Sequence, residues 1–142
     1  MPALLAMSAA MHAESPHFRA FRYSEEKMFN IISLLMRDDT PGGVFVACNN
    51  DGVIGMLGFT VAEHFFSPDK VSMDVGIYVK PESRGGTSFA RLVHAYEVAA
   101  GEHGVFEKGL GVNTGVHMQK TVAMLERLGY EVSGVNLRKV ST

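Results

Sequence analysis

The stretch Val79-Lys80-Pro81-Glu82-Ser83-Arg84-Gly85-Gly86-Thr87-Ser88 decides how this chain is read. Apolar β-branched residues alternate just before it, at Val75, Ile77 and Val79, and predict a strand over Val71 to Val79. After it, Phe89, Leu92, Val93 and Tyr96 recur at helical spacing and predict a helix from about Thr87 to Ala100, stopped by Gly101. A strand therefore runs through a glycine turn into a helix. Such a junction aims unpaired backbone N–H groups and the positive end of a helix dipole at one point, which suits a phosphate.

Outward from this junction the chain alternates helical and strand patterns. Leu4, Leu5, Ser8, Met11 and His12 predict a short first helix, and Pro16 blocks its continuation. Ser24, with Glu25 and Glu26 behind it, predicts the capped start of a second helix whose buried stripe is Met28, Ile31, Ile32 and Leu35. Val44 to Cys48 and Val53 to Ala62 predict two strands joined at Asn49-Asn50-Asp51-Gly52, since Asp-Gly between apolar β runs signals a hairpin. Phe65 to Lys70 forms a turn around Pro68. Phe106 to Val112 predicts a fourth strand, His117 to Leu128 a helix closed by Gly129, and Tyr130 to Val140 one or two final strands. This order implies a mixed α/β (α+β) sheet with helices on both faces, in one domain spanning residues 1–142.

Composition narrows the function. The 142 residues carry a net charge of −2 and no basic run, which argues against nucleic-acid binding. The single cysteine, Cys48, excludes an intrachain disulfide and repeated C-x-x-C metal sites, and its strand context predicts a small buried residue. No metal is expected. The apolar N-terminus lacks the Lys or Arg of a signal peptide, and no apolar run is long enough for a bilayer, so a cytoplasmic, non-membrane protein is expected.

Three phosphate loops compete at the glycine turn. The ATP-type loop needs a Lys after its last glycine and finds none. The dinucleotide fingerprint G-x-G-x-x-G is also missing. A coenzyme A pyrophosphate loop remains, although a double glycine by itself also fits a plain helix-capping turn. Val79, Pro81 and Arg84, preceded by the acidic Asp74, resemble the cofactor motif of the GNAT superfamily of acyl-CoA-dependent N-acetyltransferases. Arg127-Leu128-Gly129-Tyr130 resembles that family's closing motif. The similarity spans about residues 44–137 and is nearest to the short members, including those found in bacteriophage genomes. Thr87 and Phe89 depart from it, standing where the family has Gly or Ala.

The resemblance implies a mostly antiparallel twisted sheet, here without the family's first strand, and acetyl-CoA as co-substrate. The amides of Arg84, Gly85, Gly86, Thr87 and Ser88 would cradle the pyrophosphate. The backbone of Ile77, Tyr78 and Val79 would pair with the pantetheine arm, with Asn113 a further cofactor contact. Gly76, Gly109 and Gly111 would let neighbouring strands separate around that arm. Acyl transfer to an amine requires the neutral amine, only about one part in 2,500 for a lysine-like group near pH 7, so a base is useful. Asp74 is the first candidate and His117 a weaker one. The position where many members carry a proton-donating Tyr is Leu125; Tyr78, Tyr96 and His117 are possible substitutes. The acceptor, a small-molecule or protein amine, would lie near the connection holding His12, Glu14, Arg19 and Tyr23, with Glu14 suited to a cation and Arg19 to an anion. A cofactor-binding module without catalysis and a purely structural domain are the competing readings. The sheet edge left by the missing first strand would favour a homodimer.

Overall fold

The computed structural model describes residues 1–141. The chain runs α1 (Pro2–Glu14), α2 (Glu25–Leu35), β1 (Gly42–Asn49), β2 (Gly52–Glu63), β3 (Lys70–Val79), α3 (Ser88–Glu102), β4 (Glu107–Gly109) and α4 (Met118–Arg127). Short 3-10 turns occupy Phe18–Ala20 and Pro81–Ser83. The four strands lie in sequence order; β1, β2 and β3 are antiparallel neighbours, and β4 joins β3 in parallel. No helix among the described residues is long and apolar enough to cross a membrane.

Local chemistry sets most boundaries. Ser24 Oγ accepts the Lys27 N–H at 3.2 Å and starts α2, as its sequence implies. Between β1 and β2, Asn49 Oδ1 accepts the Asp51 N–H at 2.8 Å and turns the chain. The closing motif is a helix stop: Tyr130 N–H bonds Leu125 O at 3.0 Å and Gly129 N–H bonds Glu126 O at 3.1 Å, around a Gly129 φ of +97°. That is a Schellman ending, and its left-handed residue is the reason a glycine stands there.

Period-two alternation divides the core between the two sheet faces. On one face Leu57, Phe59, Val61 and Val79 pack against Leu92, Tyr96 and Ala100 of α3. On the other, Met56 and Tyr78 pack against Leu4, Met7 and Ile32 of α1 and α2. Leu57, Phe59 and Tyr96 are essentially inaccessible, and burying a side chain of this size contributes about 1.5–3 kcal/mol. The rings of Phe59 and Tyr96 meet edge-on at 5.2 Å.

Four expectations are corrected. The third helix passes through Gly101 and stops at His103, where Gly104 takes the left-handed conformation (φ +70°) and its N–H bonds Gly101 O. The fourth strand shrinks from the expected Phe106–Val112 to three paired residues, because it parts from β3 after Gly109. Residues 130–141 contain no strand: no described backbone group there reaches a ladder partner. Cys48 is exposed, since it lies past an irregularity at Ala47/Cys48 near the end of an edge strand.

Candidate active site

The site begins with two irregularities in β3. Gly58 pairs with Gly76 and Phe59 with Asp74, so Val75 is an extra residue without a partner, a bulge that re-aims the side chains beside it. On the other edge, β4 pairs only with Val71 to Met73. Immediately beyond, Asp74 Oδ1 accepts the Gly111 N–H at 2.7 Å. A side chain thus replaces the next backbone acceptor at the point where the strands diverge. A Cβ at Gly111 would lie 2.6 Å from Asn113 Nδ2, so a larger residue here would have to displace the Asn113 side chain. Tyr96 fixes the junction from below: its hydroxyl donates to Gly109 O at 2.9 Å and lies 2.7 Å from Ser72 Oγ.

The divergence opens a cleft of about 920 Å³. Its floor is β3 from Met73 to Val79; Met11, Glu14 and Phe18 form one wall, and the segment from Gly111 to His117 another. The cleft-facing side of α4 carries His117, Lys120, Thr121, Met124 and Arg127. Two ties fasten the α1–α2 connection across to the opposite wall: Ser15 Oγ donates to Thr114 O at 2.5 Å, and His17 Nδ1 lies 2.6 Å from Asn113 O.

One end of the cleft suits an anion. Gly85 has a φ of +89°, and a Cβ on Gly85 or Gly86 would meet nothing within 4 Å. Among the described residues the N–H groups of Gly85, Gly86 and Thr87 have no protein acceptor, and Thr87 makes no side-chain cap. The first turn of α3 adds its own unpaired amides. Lys120 and Arg127 of α4 line the same cleft, and neither forms a salt bridge among the described residues.

Arg84 has a different task from its neighbours. Its Nε donates to Val79 O at 2.9 Å, while Nη1 and Nη2 donate to Glu14 Oε1 and Oε2 at 2.5 and 2.7 Å. The guanidinium also sits 5.4 Å from the centre of the Tyr78 ring. The hydrogen bond from Arg84 holds the Glu14 carboxyl below its ordinary pKa, against a smaller opposing effect of burial. Burial, reinforced by Glu14, raises Tyr78 and keeps it protonated. Burial also raises Asp74 above the usual aspartate value, with the Gly111 N–H opposing.

The fold therefore brings Asp74, Ile77, Tyr78, Val79, Arg84, Gly85, Gly86, Asn113, His117 and Glu14 to one cleft. Thr87 and Ser88 do not line it; Ser88 instead borders a separate groove of about 210 Å³ with Cys48 and Arg91. His12, Arg19 and Tyr23 also lie outside its lining. His12 Nε2 lies 2.6 Å from Phe21 O, and the Tyr23 hydroxyl lies 2.6 Å from Ser8 Oγ, so both brace α1. Arg19 is exposed on the 3-10 turn. Glu14 is bound to Arg84 rather than free for a cationic acceptor.

Of the possible proton donors, Tyr78 and His117 line the cleft, whereas Tyr96 is buried between β3 and β4. Leu125 is buried and faces the protein body. Lys120, Thr121 and Met124 were not legible as site residues. The helical phase running from His117 through i+3, i+4, i+7 and i+10 was the available signal.

The structure thus defines a mixed sheet whose third and fourth strands part after Met73 and Gly109, with a glycine turn of unpaired amides at one end of the cleft. A family model described as the acetyltransferase (GNAT) family matches residues 7–130, and the chain belongs to that family. No curated protein matches it significantly. Among solved structures, it is similar to a transcriptional regulator from Bacillus halodurans C-125, at 20% identity and a TM-score of 0.77, covering 99% of this chain and 95% of that one. It is also similar to a Trypanosoma brucei acetyltransferase at 17% identity and a TM-score of 0.71, covering 99% and 95%. An aminoglycoside acetyltransferase from an uncultured soil metagenomic sample, in complex with sisomicin, gives 17% identity and a TM-score of 0.71, covering 99% and 90%. At these identities the likeness concerns the fold.

Proposed function

We propose that this protein transfers an acetyl group from acetyl-CoA directly to an amine. The observation that carries the proposal is one cleft joining an end with unpaired amides, at Gly85 and Gly86, to a carboxylate, Asp74, at the strand divergence. The volume of about 920 Å³ lies near the top of the usual range for ligand sites, about 300–1,000 Å³. That leaves room for an elongated cofactor and an acceptor together.

Acetyl-CoA supplies a thioester whose carbonyl an amine attacks, with a thiol as leaving group. The chain supplies position and proton control. Gly85 and Gly86 donate N–H groups to the pyrophosphate, and Lys120 and Arg127, which line the same cleft, supply positive charge. The parted edge of β3 at Ile77 to Val79 offers backbone partners to the pantetheine amides. Asp74 accepts the proton from the attacking amine, directly or through water; its raised pKa makes it a better base than an ordinary aspartate. Tyr78, held protonated at the same cleft, is the donor nearest in kind to a phenol for the departing sulfur, with His117 the other.

Titration calorimetry with acetyl-CoA tests the binding half, and thiol release across a panel of amines tests the chemistry. No binding up to millimolar concentration would end the proposal. Binding without turnover on any amine would favour a non-catalytic acyl-CoA module. The absence of a phenol on the cleft-facing side of α4 is the observation behind that reading.

A further inference from the structure

The two ends of the cleft differ in character. The glycine turn holds the unpaired amides of Gly85 and Gly86, and β3 from Val79 back to Gly76 leads away from it. Past Gly76 lies the space around Asp74, and that space is apolar. A Cβ on Gly76 would lie 3.3 Å from Met11 Cε, so the methyl end of Met11 rests over the strand there. Met73 is 50% exposed and Val75 47%, and both line the cleft. Phe18 lines it from the α1–α2 connection. Its N–H donates to Ser15 Oγ at 3.0 Å, and that hydroxyl donates to Thr114 O on the opposite wall, so the ring's backbone is tied across the opening.

Negative charge is scarce in the cleft. Two carboxylates line it, Glu14 and Asp74, and Glu14 is taken up by both Nη atoms of Arg84. Asp74 gives Oδ1 to the Gly111 N–H, and its Oδ2 has no protein partner among the described residues. The other charged side chains lining the cleft are the cations Arg84, Lys120 and Arg127, with His117 at the start of α4. One ammonium group therefore finds one free carboxylate oxygen. A second ammonium on the same molecule finds none and shares the cleft with cations, and a desolvated charge without a partner is costly. An apolar body, by contrast, finds Met11, Phe18, Met73 and Val75, and methionine sulfur packs favourably against aromatic rings.

We propose that the acceptor is a primary monoamine on an apolar body, an aromatic or alkyl amine of the size of phenethylamine, and that polyamines are rejected. The amino group meets Asp74, and the body lies across Met73 and Val75 beside Met11 and Phe18. Selection comes from both sides: the apolar body gains contacts, and a distal charge loses water without gaining a partner. The inference rests on the proposed acetyl transfer for which end of the cleft takes the acceptor, and it narrows that acceptor to molecules with a single charge.

Two measurements on the full chain test it. The first is thiol release at saturating acetyl-CoA with phenethylamine and with the matched pair pentylamine and cadaverine, which differ by one distal amino group. The two monoamines are expected to exceed cadaverine in kcat/KM by at least about tenfold. Equal or better use of cadaverine overturns the proposal. The second needs no turnover. In protein carrying methyl-labelled methionine, phenethylamine is expected to shift the Met11 and Met73 methyl resonances, and cadaverine at the same concentration is expected to leave them in place. Shifted methyls in a protein that fails to bind acetyl-CoA would end the acetyl-transfer reading and leave the apolar amine site standing. Acetyl-CoA binding with methyls that phenethylamine does not move would overturn the site and leave the transfer reading intact. Val75→Glu supplies a second free carboxylate at a half-exposed position and should narrow the preference for phenethylamine over cadaverine by at least about tenfold. Should that variant fail to fold, Phe18→Ala serves instead and should raise the KM for phenethylamine more than that for cadaverine. A preference that the folded variant leaves unchanged overturns the assignment.

Discussion

The pairing of Glu14 with Arg84 gives the sharpest prediction, because it joins the end of α1 to the residue that opens the glycine turn. Two charge-assisted bonds, at 2.5 and 2.7 Å, hold side chains that are 27% and 29% exposed. Unit charges about 4 Å apart at an effective dielectric of about 20 attract by roughly 4 kcal/mol. Partial desolvation and the immobilisation of two long side chains offset much of that, and hydrogen bonds to charged groups contribute about 1.5–3 kcal/mol net. We expect a coupling energy of about 2 kcal/mol in a double-mutant cycle of Glu14→Ala and Arg84→Ala, well above the 0–1 kcal/mol of an exposed pair. For a chain of this length Glu14→Ala should lower the melting temperature by about 6 °C. The pH dependence has a definite sign. Arg84 holds the Glu14 carboxyl below its unfolded value of about 4.3, so the contribution is complete above that value and is lost as pH falls through the folded pKa. Wild type and Glu14→Ala should therefore converge in acid and separate near neutrality. Chemical denaturation across this pH range measures it. A coupling below about 0.5 kcal/mol, or a difference independent of pH, would show that the geometry does not act as an ion pair.

Further predictions concern the cleft and its supports. Asp74→Asn keeps an acceptor for the Gly111 N–H but removes a charge that burial disfavours, so the variant should match or exceed wild-type stability near neutrality. The wild type's deficit should develop as pH rises from the unfolded aspartate value, about 3.9, through the raised folded value, because the folded state binds more protons in that window. If Asp74 is the base, Asp74→Asn loses about 10²–10⁴-fold in thiol release along with the acidic limb of the pH–rate profile, and an unchanged profile would refute the role. Gly85→Ala forces a left-handed residue (φ +89°) and should cost about 1 kcal/mol in urea unfolding while weakening acetyl-CoA binding by calorimetry. Two tyrosines should behave oppositely. Tyr96→Phe strands the groups its hydroxyl satisfies at Ser72 and Gly109 and should cost about 1–3 kcal/mol. Tyr130→Phe removes a buried hydroxyl with no protein partner and should be neutral or stabilising in the same unfolding assay.

Local chemistry made much of this protein legible in its sequence. Ser24 before two glutamates marks a helix start, Asn49 to Gly52 marks a hairpin, and Leu128-Gly129-Tyr130 marks a helix stop, each because a few neighbouring backbone groups need particular partners. The alternation around Leu57 and Phe59 and the helical spacing of Leu92 and Tyr96 likewise announce which faces meet. The glycine turn at Gly85-Gly86 also showed itself, because it lies between a readable strand and a readable helix.

The partners of individual side chains did not show themselves. Glu14 and Arg84 are 70 residues apart, and nothing in the local pattern says that the carboxylate meets the guanidinium instead of a substrate. His12 and Tyr23 looked equally suited to an acceptor, yet the packing of α1 turns them to Phe21 and Ser8. Lys120 became visible only once the phase of α4 against the cleft was fixed. The segment 130–141 shows the limit most plainly. Its residues carry a strand's propensity, but a strand also needs a neighbouring edge within reach, and this chain's own packing provides none among the described residues. By itself the sequence determined the helices, the first three strands and the place of the glycine turn, because those depend on contacts a few residues apart. Tertiary structure alone decided which charges neutralise each other, which face of α4 meets the cleft and which edge stays open, because those depend on contacts that no local spacing encodes.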